Sequence, residues 1–191
     1  PRRVPNSNVT FTLTQLRDRF LSPVWHPGDH GPQPEVVASG RKPEVWACGY
    51  CHRADGPGGP ENANLAGQPA AYLIQQMKDY QSGARGTSVP KRNVDIMISI
   101  AKATTAAEIE AAAAYFSAIK PKAVIKVIES ADVPKTFIIS NHFAAVPSGE
   151  REPIGNRIIE VPEDLDRFVH RDARSTFVAY APPGSIARGA A

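Results

Sequence analysis

The 191 residues carry 22 Lys and Arg against 19 Asp and Glu, a formal charge of +3, and 42% hydrophobic but only 7% aromatic residues. This mild basicity lacks the clustered Lys/Arg stripe of a nucleic-acid binder. No apolar run approaches the ~20 residues that a membrane-spanning helix needs. With only two cysteines, three positions apart, a framework of several spaced disulfides is also excluded.

The chain opens on Pro1 without a signal-peptide pattern, as expected if a targeting segment was removed or the numbering starts late. Residues 1–40 form a Pro/Gly-rich N-terminal extension, with Pro23-Val-Trp-His-Pro-Gly-Asp-His-Gly-Pro32 breaking helices and sheet ladders alike. Its amphipathic stretch at 9–20 (Val9, Phe11, Leu13, Leu16, Phe20) predicts a short strand-to-helix element. The extension as a whole reads as a wrap without its own core.

Residues 41–120 are the organised part. A short helix around 45–52 carries both cysteines, and a Gly/Pro loop follows at 55–60. The next helix is predicted over about 69–82, with Pro69 at its first position and Gly83 just past its end. Leu73, Met77 and Tyr80 make its apolar stripe. A third helix is predicted over about 106–119, opened by the capping-box pattern Thr105-x-x-Glu108 and stopped by Pro121. Met97 falls in the segment ahead of it, read as a loop.

Residues 121–180 form a small β-containing C-terminal extension. Short β-branched or aromatic runs at 123–128, 136–139, 157–161 and 176–180 predict strands of one small antiparallel sheet. Residues 181–191 read as a linker.

Cys48-Gly49-Tyr50-Cys51-His52 is a C-x-x-C-H sequence. Two thiols one helical turn apart can each add to a vinyl group of one haem, and the adjacent imidazole then projects under the iron. Covalent attachment matters in a region of about 80 residues, where a small core supplies little net stability. The alternatives are a structural zinc site, which lacks a second ligand pair here, and a thioredoxin-like pair, which lacks the βαβ setting.

Residues 41–120 resemble the bacterial class I cytochromes c, especially the N-terminal half of tandem two-haem members. The resemblance rests on Cys48-Gly-Tyr-Cys-His-Arg-Ala-Asp-Gly-Pro-Gly-Gly-Pro60, Asn64-Leu-Ala-Gly-Gln68, Ala71-Tyr-Leu73, Lys78-Asp-Tyr-Gln-Ser-Gly-Ala-Arg85, Met97-Ile-Ser-Ile-Ala101, Glu108-Ile109 and Ala113-Ala-Tyr-Phe116. It implies a mainly α fold, a helical haem domain between the two extensions. It also implies one covalent haem c, attached through Cys48 and Cys51, with His52 and Met97 as axial iron ligands. Met77 on the helical stripe reads as core, while His26 or His30 stays open as a replacement for Met97. In the family, a carbonyl just before the Asn-Leu-x-Gly stretch orients the proximal His; that position is Ala63. Leu65, Tyr72, Tyr80 and Ile100 are candidate pocket residues. Arg85, Lys91 and Arg92 are candidates for propionate pairing, partner docking or ordinary surface charge. His142 and His170 read as solvated.

The expected function is electron transfer in the periplasm, because thioether attachment takes place outside the bacterial cytoplasm. The expected partners are redox proteins, including other subunits of a membrane respiratory or dehydrogenase complex, and the chain itself is not expected to be an enzyme. The alternative is a haem-based ligand-binding or peroxidase-type protein with a displaceable sixth ligand. Gly184-Ser-Ile-Ala-Arg-Gly-Ala-Ala resembles the opening of a second haem domain, so the natural chain is expected to continue past Ala191 or to have lost that module.

Overall fold

The computed structural model describes residues 1–139 and 142–191. They divide into two units, Pro1–Lys122 with Arg171–Ala173, and Ala123–His170 with Arg174–Ala191.

In the first unit, an antiparallel bridge between Arg2 and Phe11 leads into helix α1 (Leu13–Arg17). Thr12 and Gln15 close a reciprocal capping box on α1, satisfying two of the backbone donors that a helix start leaves open. Val4, Leu16 and Trp25 are buried together, with Val9 and Phe11 packed against them and the Phe11 ring edge-on to Trp25 at 4.7 Å. The extension therefore has a small core, contrary to the wrap expected. The strand-to-helix element expected at 9–20 forms, but Val4 and Trp25 lie outside it, so no local period announces the core they complete.

Helices α2 (Glu35–Ala38), α3 (Cys48–His52), α4 (Ala70–Ser82), α5 (Arg92–Ala103) and α6 (Ala106–Ser117) complete this unit. Their shared core is Val36, Val37, Val45, Leu73, Ala113 and Phe116, and Cys48, Leu65 and Ile100 pack against it. Helix α4 starts one residue after Pro69, which caps it instead of occupying its first turn, and stops at Gly83 in the left-handed conformation that a terminating glycine supplies. Both halves of the capping box expected at Thr105 and Glu108 form.

Helix α5 replaces the expected loop around Met97. It has no side-chain N-cap, so no local start signal announces it. Its end is secured by distant residues instead. Gln81 donates to the Ala101 and Thr104 carbonyls (2.9 and 3.1 Å), and Arg41 donates to the Ala103 carbonyl (2.8 Å). These partners satisfy acceptors that a helix end otherwise leaves to water.

The second unit holds strands β1 (Ile125–Glu129), β2 (Asp132–Pro134), β3 (Thr136–Ile139), β4 (His142–Ala145), β5 (Arg151–Pro153), β6 (Ile159–Pro162) and β7 (Phe177–Ala181), with helices α7 (Leu165–Val169) and α8 (Ser185–Gly189). All four predicted strands exist, but the single antiparallel sheet does not. β7 lies between β1, to which it is parallel, and β6, to which it is antiparallel, while β2–β5 and β3–β4 form separate antiparallel pairs. Short apolar runs announce strands without naming their partners, and the β1–β7 pairing is set by the long crossover between them. Val133, Ile154, Ile159 and Val161 form the core. His142 is buried against Phe168 (4.8 Å) and Phe177 (6.3 Å), not solvated as expected. His170, half-buried, sits at the end of α7 with its ring Nδ1 2.7 Å from the Asp166 carbonyl. The segment expected to be a linker contains α8, whose Ile186 N–H donates to Glu129 Oε1 (2.6 Å).

Among the described residues no helix is long and apolar enough to cross a membrane.

Candidate functional site

Helix α3 is only five residues long, and what surrounds it explains why it forms there. Ala47 precedes it in non-helical conformation with its N–H donating to the Arg19 carbonyl (3.0 Å). Arg53 ends it at φ +70, and the Gly58 N–H returns to the His52 carbonyl (3.1 Å). Gly49 is required inside the motif: a Cβ there would lie 2.1 Å from Ser22 Oγ and 3.1 Å from the Val37 carbonyl oxygen. The N-terminal extension thus presses directly on the turn between the two cysteines. Gln33 fixes Ser22, donating to its Oγ (3.1 Å) and to the Ala54 carbonyl (3.0 Å).

Cys48 and Cys51 are half-buried, lie one turn apart on α3 and are not joined by a disulfide. Burial pushes the Cys48 thiol up to about 12, and the neighbouring Cys51 adds to the rise. The Cys51 thiol is also raised by burial, against the opposing pull of Arg171 and Arg53. Neither is a ready thiolate, so the pair lacks the lowered pKa that drives disulfide-exchange chemistry. Nor do three His, Cys, Asp or Glu side chains converge as for a metal ion anywhere among the described residues.

His52 carries the clearest signature. Its Nδ1 lies 2.8 Å from the Ala63 carbonyl oxygen, the acceptor position that the family resemblance implied. An Nδ1–H held this way fixes the ring and leaves Nε2 as the nitrogen able to ligate. Burial lowers the imidazole pKa, with the Ala63 bond opposing, which favours the neutral, ligating form. The acceptor is itself pinned. Leu65 and Ala66 donate to the Gly56 carbonyl (2.8 and 3.2 Å), and Gly67 donates to the Phe116 carbonyl (2.9 Å). Helix α6 thereby anchors the loop that orients His52.

Two thiols at i and i+3, and an imidazole with one nitrogen engaged and the other left over, make a donor set that fits a covalently bound haem. Met97 lies half-buried in the middle of α5. Ile100, one turn further on and on the same side of the helix, packs against the core that Cys48 also joins. Met77 is half-buried on α4. His26 commits its ring elsewhere: it is buried, with Nε2 3.1 Å from Oδ1 of the fully buried Asp172. His30 places Nδ1 2.7 Å from the Gly31 carbonyl and its ring edge-on to Tyr115.

Of the candidate pocket residues, Leu65 and Ile100 join the core, Tyr80 is half-buried, and Tyr72 is exposed. Arg85 stacks over Tyr80 (4.7 Å to the ring centroid) and donates to Gln76 Oε1, whereas Lys91 and Arg92 are exposed at the start of α5. Sequence reasoning missed Ser22, Gln33, Arg53 and Arg171. Arg53 is buried with Glu61 Oε1 at 3.7 Å, and Arg171 stacks on Tyr50 inside the motif. Only Gly49 carried a signal of this crowding, as a residue without a side chain at the centre of the turn.

Residues 39–120 match the family model described as cytochrome c, and this segment is a cytochrome c domain. It is 38% identical over 81 residues to the thiosulfate dehydrogenase electron acceptor of Thiomonas intermedia (strain K12), covering 41% of this chain and 34% of that protein. It is 36% identical over 76 residues to cytochrome c-552 of Acidithiobacillus ferridurans, covering 40% of this chain and 30% of that protein. The chain thus spans about a third of the length of these curated relatives. A solved thiosulfate dehydrogenase (TsdBA) from Marichromatium purpuratum, in its "as isolated" form, aligns over 44% of this chain and 17% of its own, with 34% identity and a TM-score of 0.37.

Proposed function

We propose that this chain is an exported, periplasmic electron-transfer protein in which Cys48 and Cys51 hold one haem c by thioethers and His52 and Met97 are its axial ligands. The observation that carries the reading is the His52 Nδ1–Ala63 contact (2.8 Å), which sets the ring for ligation through Nε2. The bound haem would supply a one-electron couple. The work of the protein is done by its own residues: α3 presents the attachment atoms, the loop anchored on α6 orients His52, and the core of Val45, Leu73 and Phe116 excludes water behind them. A thioether ligand from Met97 would raise the reduction potential relative to a second histidine and leave no open iron position for a substrate.

The likeness to a thiosulfate dehydrogenase electron acceptor supports a place as a haem subunit or carrier that takes electrons from a dehydrogenase partner. Absorption spectroscopy tests the ligand set. The oxidised protein should show the weak far-red sulfur-to-iron charge-transfer band, and Met97→Ala should abolish it while leaving the haem attached. A band that survives Met97→Ala, or rapid carbon monoxide binding by the native reduced protein, would remove Met97 from the iron and favour a ligand-binding or peroxidase-type haem protein.

A further inference from the structure

We propose that Arg171 is a positioning and charge-setting residue of the haem site: its guanidinium, fixed on the turn between the two attachment cysteines, raises the midpoint potential of the couple carried there. The inference rests on the haem-attachment reading above and adds to it a residue far outside the cytochrome c segment.

Arg171 lies with Cζ 3.8 Å from the Tyr50 ring centroid, and its Nη1 donates to the Tyr50 carbonyl (3.0 Å). Tyr50 stands between Cys48 and Cys51, two residues before His52. The guanidinium is therefore held against the turn that carries both cysteines, and its charge acts on the Cys51 thiol. Its placement is enforced from several sides. Arg171 itself adopts φ +59, a conformation that non-glycine residues enter only when the surroundings require it. Its neighbour Asp172 is fully buried against His26, and Ala173 is buried as well.

The other charges nearby do not duplicate it. Arg53 is matched by Glu61 at 3.7 Å, Asp172 faces His26, and Arg19 stacks on Trp46 at 4.3 Å. Among the described residues no carboxylate lies within ion-pair distance of Arg171. An oxidised haem carries one more positive charge than a reduced one, so a fixed cation beside it disfavours the oxidised state, more strongly where burial limits screening. The expected effect of such a fixed charge is about tenfold in the redox equilibrium constant, or ~59 mV for one electron.

The test is a potentiometric titration of the holoprotein and of Arg171→Gln and Arg171→Lys, with spectra confirming unchanged ligands. Arg171→Gln should lower the equilibrium constant for reduction about tenfold, while Arg171→Lys, which keeps the charge without the planar stack, should stay within about threefold of the parent. If Arg171→Gln does not yield folded holoprotein, Arg171→Lys decides: its potential should drop, relative to the parent, as the amine deprotonates near pH ~10.4. The proposal is overturned by an unchanged potential in Arg171→Gln, by equal losses in Gln and Lys, or by a lysine variant that tracks the parent through that pH range. A parent protein without covalent haem would instead sink the attachment reading itself.

Discussion

Replacing Gly56 with alanine should destabilise the site through the loop that orients His52. Gly56 adopts φ +77, and a Cβ there would lie 2.7 Å from Phe116 Cδ1 and 3.1 Å from the Ala66 amide nitrogen. The left-handed backbone alone costs an alanine about 1–2 kcal/mol. Forcing a methyl against a fully buried ring adds about 1–3 kcal/mol. Gly56→Ala should therefore lose roughly 2–5 kcal/mol, a large part of the ~5–15 kcal/mol that holds a typical protein folded. Urea unfolding is the assay: the midpoint should fall while the slope stays constant. Phe116→Leu in the same background should recover part of the loss, because it removes the clash but not the backbone strain. A double-mutant cycle then reads a coupling of about 1 kcal/mol. A loss below about 0.5 kcal/mol, or strict additivity with Phe116→Leu, would refute the argument that α6 positions this loop by direct contact.

Two further outcomes follow from the same unit. Arg41 and the Thr105 cap hold the Glu108 carboxyl down to about 2, from its ordinary 4.5. The stability linked to it is complete above its unfolded pKa and is lost as the pH falls towards 2, by about 1 kcal/mol once solvent screening at this rim is allowed for. Urea midpoints should decline less between pH 6 and pH 2.5 in Glu108→Gln than in the parent, and parallel declines would contradict this. The Tyr115 hydroxyl donates to the Ala54 carbonyl (2.7 Å), and burial pushes its pKa up to about 12. Tyr115→Phe should cost about 1 kcal/mol and remove the phenol that ionises last in an ultraviolet titration; a loss of an ordinary pH ~10 phenol would count against the geometry.

What was legible in the sequence was what local chemistry dictates. The box at Thr105 and Glu108, the glycine ending α4 and the motif on a single turn all depend on neighbours a few residues apart. The Ala63 acceptor was legible only through the family resemblance. What stayed hidden depends on distant partners. Helix α5 is finished by Gln81 and Arg41, the β1–β7 pair joins strands separated by most of the second unit, and Arg171 reaches Tyr50 from 121 positions away. The burial of His142 has the same origin: a polar-looking segment is folded around Phe168 and Phe177. The extension at residues 1–40 shows how composition misleads. Its prolines and glycines signalled irregular backbone correctly, yet that backbone carries Ser22 onto Gly49 and builds a core on Trp25.

The attachment of a porphyrin through both sulfurs of α3 is tested most directly by denaturing the purified protein in acidified organic solvent and following the pigment. The account predicts that the haem stays with the polypeptide, that a pyridine haemochrome spectrum corresponds to two thioether bonds, and that replacing both Cys48 and Cys51 with alanine lets the colour extract. Pigment that washes free of the parent chain, or a chain that carries none after export in a host able to attach haem, would contradict it.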